Sequence, residues 1–265
     1  MVVYGVEMPN NPSKRKEEIL EMIIDRYIES AEPVGSRLVS RKFGLSSATI
    51  RNIMSDLEDE GYITHPHTSA GRVPTDKGYR YYITTLMHKK NLNEKAVKMV
   101  EAQYHQKVRN LGDVLEKTSH LISSLTNYVG VTMMPACLDG SGAQSGRPGV
   151  EKLYFDGTSH LMEQPEFQDI SKLHNLFRCL EDRVSILKVL CDSPDDDRLT
   201  IHIGKENKSN SLSECSIVTR GYRIKGKASG KLGVIGPKRM VYERVIPMVE
   251  YLADTVNSII YDMDE

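Results

Sequence analysis

A succession of short apolar repeats, each interrupted by glycine or proline, fills the first 90 residues and limits the fold more than any other feature of the chain. Between residues 14 and 30, apolar side chains recur at steps of three and four, which is the period of an amphipathic helix. A second and a third repeat of this kind end at Gly44 and Gly61. Because glycine commonly follows the last residue of a helix, we predict three short helices here.

A small hairpin is predicted directly after the third helix. Residues 62–65 have strand character, residues 66–71 form a polar loop that ends in glycine, and residues 72–74 can pair back. Thr75 then offers a cap for a fourth helix. Three helices, a two-stranded wing and a further helix is the element order of a winged helix-turn-helix. We predict this fold for residues 14–90, after a disordered lead-in at residues 1–13.

The pattern changes after residue 90, where longer helices alternate with strands. Residues 138–149 are rich in glycine and have no apolar face, so we predict a flexible connector there. We predict an α+β domain at residues 91–265, which makes the fold class of the whole chain α+β. The predicted elements are helices at 104–125, 170–190 and 241–261 and strands at 126–134, 150–155 and 199–203, with two or three short strands between 215 and 235.

Charge is segregated along the first domain, although the whole chain is nearly neutral with 35 basic and 36 acidic residues. Residues 36–55 contain four basic residues and no acid, residues 56–60 contain four acids, and residues 61–90 contain five basic residues and one acid. Basic side chains gathered on one face would bind DNA, because DNA carries one negative charge per ~1.7 Å of its axis. The alternative is that these charges only solvate helix surfaces.

The start of the third helix has side chains that can read the edges of bases. Arginine can pair with guanine and asparagine with adenine, and small side chains can meet a thymine methyl group. We predict base readout by Thr49, Arg51 and Asn52. Ser46 and Ser47 either contact DNA or only cap the helix. The side chains predicted to contact phosphates or the minor groove are Arg37, Arg41, Lys42, His67, Thr68, Ser69, Arg72, Lys77 and Arg80.

Several runs of this sequence match one known family. The longest and most specific run is PHTSAGRVPTDKGYR at residues 66–80. Two other runs in the first domain also match, EPVGSR at residues 32–37 and ATIRN at residues 48–52. Further matching runs in the second domain are LTNYV at 125–129, GTS at 157–159, QPEF at 164–167, IGKEN at 203–207 and LGVIGP at 232–237. With these runs the chain resembles the heat-inducible transcription repressor family HrcA of bacteria over nearly its whole length after the lead-in.

The resemblance implies a repressor that binds, as a homodimer, an inverted-repeat operator called CIRCE ahead of chaperone genes, with help from the chaperonin GroEL. It also implies that the second domain is GAF-like and has a dimerisation domain inserted in it. This sequence departs from the family in two places. The turn before the recognition helix, residues 44–48, is shorter and has no proline, and only the connector at 138–149 stands where the inserted domain would be. We therefore expect another surface to form the dimer.

An enzyme is not expected, since no catalytic pattern in the sequence is complete. Residues 221–228 match a phosphate-binding P-loop until Ala228, where a serine or threonine should hold Mg²⁺. His65 and His67 have no cysteine or carboxylate close in sequence to complete a metal site, and no GxSxG motif is present. We predict no catalytic residue, no metal and no cofactor.

Two further questions concern the second domain. The alternative function is that of a ligand-responsive regulator, in which the GAF-like domain senses a small molecule. Apolar stripes at residues 104–125 and 245–259 repeat at 4-3 spacing, and we favour packing against the sheet for both. We also hypothesise that one of these helices, with Leu86 and nearby tyrosines, forms the subunit contact.

The cellular setting is suggested by what the sequence lacks. Its four cysteines never form a CxxC pair, which disfavours a zinc site and a disulfide framework. No run of ~18 apolar residues occurs, and the first residues lack the apolar core of a signal peptide. We therefore expect a cytoplasmic protein with no membrane partner.

Overall fold

The computed structural model describes residues 11–67, 70–104, 110–135, 150–190, 197–224 and 227–264. The chain divides into two compact units, residues 1–88 and 89–265, which are described separately below. The predicted connector at 138–149 lies outside the described residues, as do Thr68, Ser69 and most of the predicted lead-in. Among the described residues, no helix combines the length and the apolar composition needed to cross a bilayer.

The first unit has the predicted winged helix-turn-helix order. Helix α1 begins at Pro12, so the predicted lead-in is two residues too long. The Asn11 side chain accepts a hydrogen bond from the Ser13 amide, and proline suits the first helical position. The elements are α1 (Pro12–Ser30), α2 (Ser36–Phe43), α3 (Ser47–Asp59), β1 (Ile63–Thr64), β2 (Val73–Pro74) and α4 (Asp76–Tyr81), and α4 continues as a π-helical turn (Tyr82–Leu86).

The apolar stripes of α1, α2 and α3 meet in one core. Ile23, Val39 and Ile50 are each fully buried there. The π-helical turn is tied to α1, because the Tyr82 hydroxyl donates to the Asp25 carboxylate at 2.7 Å. Leu86 is also buried, so its side chain is not available for the subunit contact that we hypothesised from the sequence.

Two glycines in the run at residues 66–80 are required by close packing of the backbone. A Cβ on Gly71 would lie 2.6 Å from the carbonyl carbon of Val34, and a Cβ on Gly78 would lie 2.1 Å from the carbonyl oxygen of Tyr62. Both distances are far below van der Waals contact. The specific PHTSAGRVPTDKGYR run therefore encodes how the wing and α4 fit against the rest of the unit.

The second unit is an α+β domain, and the predicted fold class is confirmed. Its five-stranded antiparallel sheet has the order β4-β3-β7-β6-β5. The elements are α5 (Glu94–Tyr104), α6 (Leu111–Thr126), β3 (Val129–Pro135), β4 (Val150–Asp156), α7 (Ser159–Met162), α8 (Ile170–Glu181), α9 (Arg183–Leu190), β5 (Leu199–Ile203), β6 (Cys215–Ile224), β7 (Lys227–Pro237) and α10 (Tyr242–Asp264).

Helices α6 and α10 pack against each other and against the sheet. The centre of the 4-3 stripe on α10 is enclosed, since Val249, Leu252 and Val256 are each 0% exposed. On α6, Leu115 and Ile122 are equally buried. The favoured interpretation of both stripes as core is confirmed for these residues, whereas a subunit contact through another face of one of these helices stays a prediction.

Three predicted element boundaries in the second unit are wrong, each for a local reason. The predicted helix at 104–125 is two helices, because the Asn110 side chain caps a new helix at Leu111. The predicted helix at 170–190 breaks at Asp182, whose ψ of 92° is extended. Residues 215–224 and 227–237 form two strands that are longer than predicted, because glycines such as Gly233 lie within β7, where a Cβ would meet the Val218 carbonyl oxygen at 2.1 Å, and do not end it.

Candidate nucleic-acid interface

The turn between α2 and α3 is held by its own backbone and hydroxyl groups. Gly44 has a φ of 67°, a left-handed conformation that favours glycine, and its amide donates to the Ser40 carbonyl oxygen. The Ser46 side chain then accepts from the Thr49 amide at 3.0 Å and caps α3. Of the two roles left open for Ser46, capping is the one that the structure contains. The turn orients α3 against α2 in a helix-turn-helix.

One face of α3 is in the core and the opposite face is in solvent. Ile50, Met54 and Leu57 are buried. The exposed residues of the first turns include the three predicted for base readout, and Ala48 lies beside them: Ala48, Thr49, Arg51 and Asn52. This N-terminal part of a recognition helix is the part that enters the major groove in helix-turn-helix proteins.

The three basic residues of α2 are exposed and have no ion pair within the described part of the chain. Arg37 and Arg41 lie one helical turn apart, and Lys42 follows directly. On α3, the Arg51 guanidinium is exposed and its Nε donates to the Ser47 carbonyl oxygen at 3.2 Å, within its own helix. These four cations remain available to a polyanion, whereas a cation paired to a carboxylate would first have to leave its partner.

Three of the four acids at the other end of α3, all except Asp59, are paired inside the unit. Lys16 on α1 lies 3.1 Å from an Asp56 oxygen and 2.9 Å from a Glu60 oxygen. Lys16 donates to these carboxylates, and its hydrogen bonds to Glu60 and Asp56 raise the pKa of Lys16 above its ordinary value. Glu58 pairs with His65 and with Arg72. The negative charge beside the basic residues is thereby neutralised without using the cations of α2.

The predicted wing contacts divide into exposed and internally paired side chains. His67 is exposed. The Arg72 guanidinium lies 2.7 Å from a Glu58 oxygen, and its Nε is buried. Lys77 donates to the Glu60 carbonyl oxygen at 2.7 Å and lies 4.5 Å from the centre of the Tyr62 ring. Arg80 on α4 is half-buried and is not free of interactions.

Sequence reasoning missed two residues that shape this surface, Lys16 and Glu58. Both act through contacts across the fold, and neither belongs to a short motif, so the sequence contains no signal for their roles. His65 and His67 were the two histidines of the sequence that could suggest a metal site. His65 instead pairs with Glu58, and no group of three potential metal ligands occurs among the residues that the structure describes.

The described residues of the second unit line a cavity but contain no catalytic arrangement that corresponds to a sequence motif. Of the P-loop-like run at 221–228, residues 221–224 and 227–228 lie at the paired ends of β6 and β7. A groove of about 690 Å³ runs between α6 and β4, where His120 Nδ1 lies 2.8 Å from an Asp156 oxygen. Burial raises the pKa of the Cys179 thiol above its ordinary value, so Cys179 is poorly suited to act as a nucleophile.

The fold and its exposed helix face define a winged helix-turn-helix transcription factor. Residues 11–90 match the family model described as winged helix-turn-helix transcription repressor, HrcA DNA-binding, and residues 137–246 match the HrcA protein C terminal domain. The chain belongs to the HrcA family.

Relatives that carry the name of this family match the chain over almost its whole length. The heat-inducible transcription repressor HrcA of Pelotomaculum thermopropionicum is 30% identical, with 93% of this chain and 96% of the relative covered. The protein of that name from Geobacter sulfurreducens is 31% identical, with 94% and 98% covered. A crystal structure described as a hypothetical protein has a TM-score of 0.75 at 21% identity, covers 97% of this chain and 99% of its own, and shows the same fold.

Proposed function

We propose that this protein is a heat-inducible transcription repressor that binds operator DNA with α2, the first turns of α3 and the wing. One observation carries the proposal: within the described residues the cations of α2 and the polar start of α3 are exposed and have no ion pair, while three of the four acids at the other end of α3 are paired inside the unit. Such a division leaves one electropositive surface beside a helix that can enter a groove.

The roles of the individual side chains follow from their partners. Thr49, Arg51 and Asn52 read bases, because they are exposed on the first turns of α3. The phosphate contacts are made by the exposed cations Arg37, Arg41 and Lys42 of α2 and by Arg80. Wing contacts are made by His67, Thr68 and Ser69, and Ser47 contacts the backbone from the start of α3. Arg72 and Lys77, predicted as phosphate contacts, have partners inside the unit that compete with this role.

The operator is proposed to be an inverted repeat of the CIRCE type, bound by a homodimer whose recognition helices lie about one helical turn, ~34 Å, or a multiple of it apart. The alignment with the Pelotomaculum thermopropionicum relative extends over 334 positions, whereas this chain has 265 residues, so many aligned positions are gaps in this chain. This supports the absence of an inserted dimerisation domain and a different subunit contact. GroEL would help to keep the repressor folded, and heat would inactivate it by unfolding or by dissociating the dimer.

Selection of bound sequences from random duplexes tests the proposal. The purified full chain should enrich two copies of one short motif in inverted orientation, with their centres about 10 base pairs or a multiple apart. Enrichment of no motif would contradict sequence-specific binding. Enrichment of single, unpaired motifs would contradict the dimer.

The groove between α6 and β4 favours one alternative, a regulator that responds to a small molecule. Its walls combine apolar side chains with the His120–Asp156 pair. A thermal-shift screen of metabolites distinguishes the two functions, because a ligand at 100 times its dissociation constant stabilises the folded state by ~2.7 kcal/mol. A stabilising metabolite that also changes operator affinity would support the alternative.

A further inference from the structure

The wing is too small to hold its own position. Its two strands contain two residues each, paired Ile63 with Pro74 and Thr64 with Val73. Proline has no amide to donate, so Pro74 contributes no amide hydrogen bond to this pairing. Isolated two-stranded hairpins are marginal in water even when they are longer. The position of the wing must therefore depend on contacts outside the hairpin.

Besides the burial of Ile63 and the hydrogen bonds from the Thr75 hydroxyl to the Gly61 and Tyr62 carbonyl oxygens, two contacts reach the arms of the wing from outside the hairpin. The first is made by the backbone, where Val34 and Arg72 exchange hydrogen bonds of 2.8 and 2.9 Å. The second is made by the Glu58 carboxylate, which divides its two oxygens between the two arms. One oxygen lies 2.5 Å from His65, directly after β1, and the other lies 2.7 Å from Arg72, directly before β2.

Glu58 lies on the same helix as the base-reading residues. It is seven residues after Arg51 on α3, which is about 10 Å along a helix that rises ~1.5 Å per residue. The helix is fixed in the core by Met54 and Leu57, so its two ends move as one body. A contact from Glu58 to both arms of the hairpin therefore fixes the position of the wing relative to the base-reading face of α3.

We propose that Glu58 is a positioning residue that holds the wing at a fixed place beside the recognition helix, with Arg72 as its principal partner. The inference rests on the proposed function, in that the wing and α3 bind the same duplex. Glu58 itself does not contact DNA. Arg72 accordingly serves to place the wing rather than to bind a phosphate, and its side chain is only 25% exposed.

Glu58→Gln in the full chain tests this role, with Asp59→Asn as the matched control. Both changes remove one negative charge from the same turn of α3, and Asp59 is exposed with no ion pair in the described part of the chain. Removing a negative charge close to DNA should by itself strengthen binding. We therefore expect Asp59→Asn to bind the selected operator at least as tightly as the parent, and Glu58→Gln to bind it about tenfold more weakly.

Hydroxyl-radical footprints separate positioning from general damage. In Glu58→Gln, protection on the flank contacted by the wing should weaken, while protection in the major groove beside α3 persists. The double variant Glu58→Arg with Arg72→Glu restores an opposite pair and should recover most of the affinity and of the flank protection. Glu58→Gln binding like Asp59→Asn, a uniform loss over the footprint, or a double variant no better than the singles would each overturn the proposal.

A measurement without DNA keeps this inference separate from the proposed function. Amide hydrogen exchange at residues 63–65, 67, 72 and 73 of the free protein should be faster in Glu58→Gln than in Asp59→Asn, with the exchange of α1 unchanged. Equal exchange at the wing would overturn the role of Glu58. If the parent selected no duplex, the proposed function would fail, and the exchange rates would still decide whether Glu58 holds the wing.

Discussion

The two halves of α3 both carry exposed polar side chains, but these side chains serve different purposes. The first turns present Thr49, Arg51 and Asn52 to solvent without a partner from another element. At the other end of the helix, three of the four acids, Asp56, Glu58 and Glu60, are tied to a cation elsewhere in the unit, on α1 or on the wing. One end of the helix is therefore left free for a ligand, while the other end holds the winged-helix unit together.

The largest effect should come from disrupting the packing of α4 against Tyr62, close to the last turns of α3. Gly78→Ala places a methyl group 2.1 Å from the Tyr62 carbonyl oxygen, so α4 must move away from β1. We expect a loss of about 3 kcal/mol in the free energy of unfolding, the upper end for overpacking. Gly35→Ala is the control, since nothing lies within 4 Å of a Cβ added at that position, and it should change stability by about 0.5 kcal/mol or less. Urea unfolding followed by circular dichroism measures both, and equal midpoints would contradict this packing.

Changes at the free end of α3 should affect recognition and leave stability alone. Asn52→Ala or Arg51→Ala should cost about 1–3 kcal/mol of operator binding and relax the preference at one base pair. Affinity for a random duplex should change much less. Fluorescence anisotropy with both duplexes measures the difference. Equal losses on operator and random DNA would show that these side chains do not read bases.

The cations of α2 should contribute affinity without sequence preference. Arg41→Ala should weaken binding to operator and random DNA alike and lower the slope of log affinity against log salt by ~1. Arg26→Ala removes the same charge from α1, where the guanidinium already pairs with Glu29 at 3.0 Å, and should leave the slope unchanged. An equal change of the salt slope in Arg41→Ala and Arg26→Ala would show that α2 does not contact the DNA.

The smallest effect is expected at the paired end of α3. Lys16→Gln should lower the unfolding midpoint slightly and leave operator affinity unchanged, because its partners Asp56 and Glu60 are exposed carboxylates. The raised pKa of Lys16 means that the pairing is fully present below its ordinary pKa of 10.5 and is lost as pH rises through the raised value. Parent and Lys16→Gln should accordingly become equally stable at strongly alkaline pH. A difference that persisted there would contradict an ionic origin, and Lys14→Gln, on an exposed lysine, is the control.

The first unit could be predicted closely because its boundaries are local. Gly44 and Thr75 mark a helix end and a helix start by their own backbone and side-chain preferences, and both occur in the structure as expected. In the second unit the apolar spacing continues across real breaks at Asn110 and Asp182. Periodicity reports which face is buried, but it does not report where the chain turns.

The candidate site was predictable only in part for the same reason. Exposed residues on α3 follow from helical spacing, because the buried positions Ile50, Met54 and Leu57 fix the opposite face. The pairing of Arg72 with Glu58 joins residues 14 apart through the path of the wing, and nothing in local sequence specifies it. A basic residue in a charged run can therefore serve the ligand or the fold, and only its partner decides which.

Photo-crosslinking from α3 tests the division of this helix most directly. A photoreactive amino acid is placed at Ala48 on the free face or at Asp59 on the paired end, both of which are exposed. After irradiation with the selected operator, crosslinks to DNA should form from position 48 and be absent from position 59. Crosslinks from position 59 alone, or equal yields from the two positions, would contradict the assignment of the first turns of α3 to DNA.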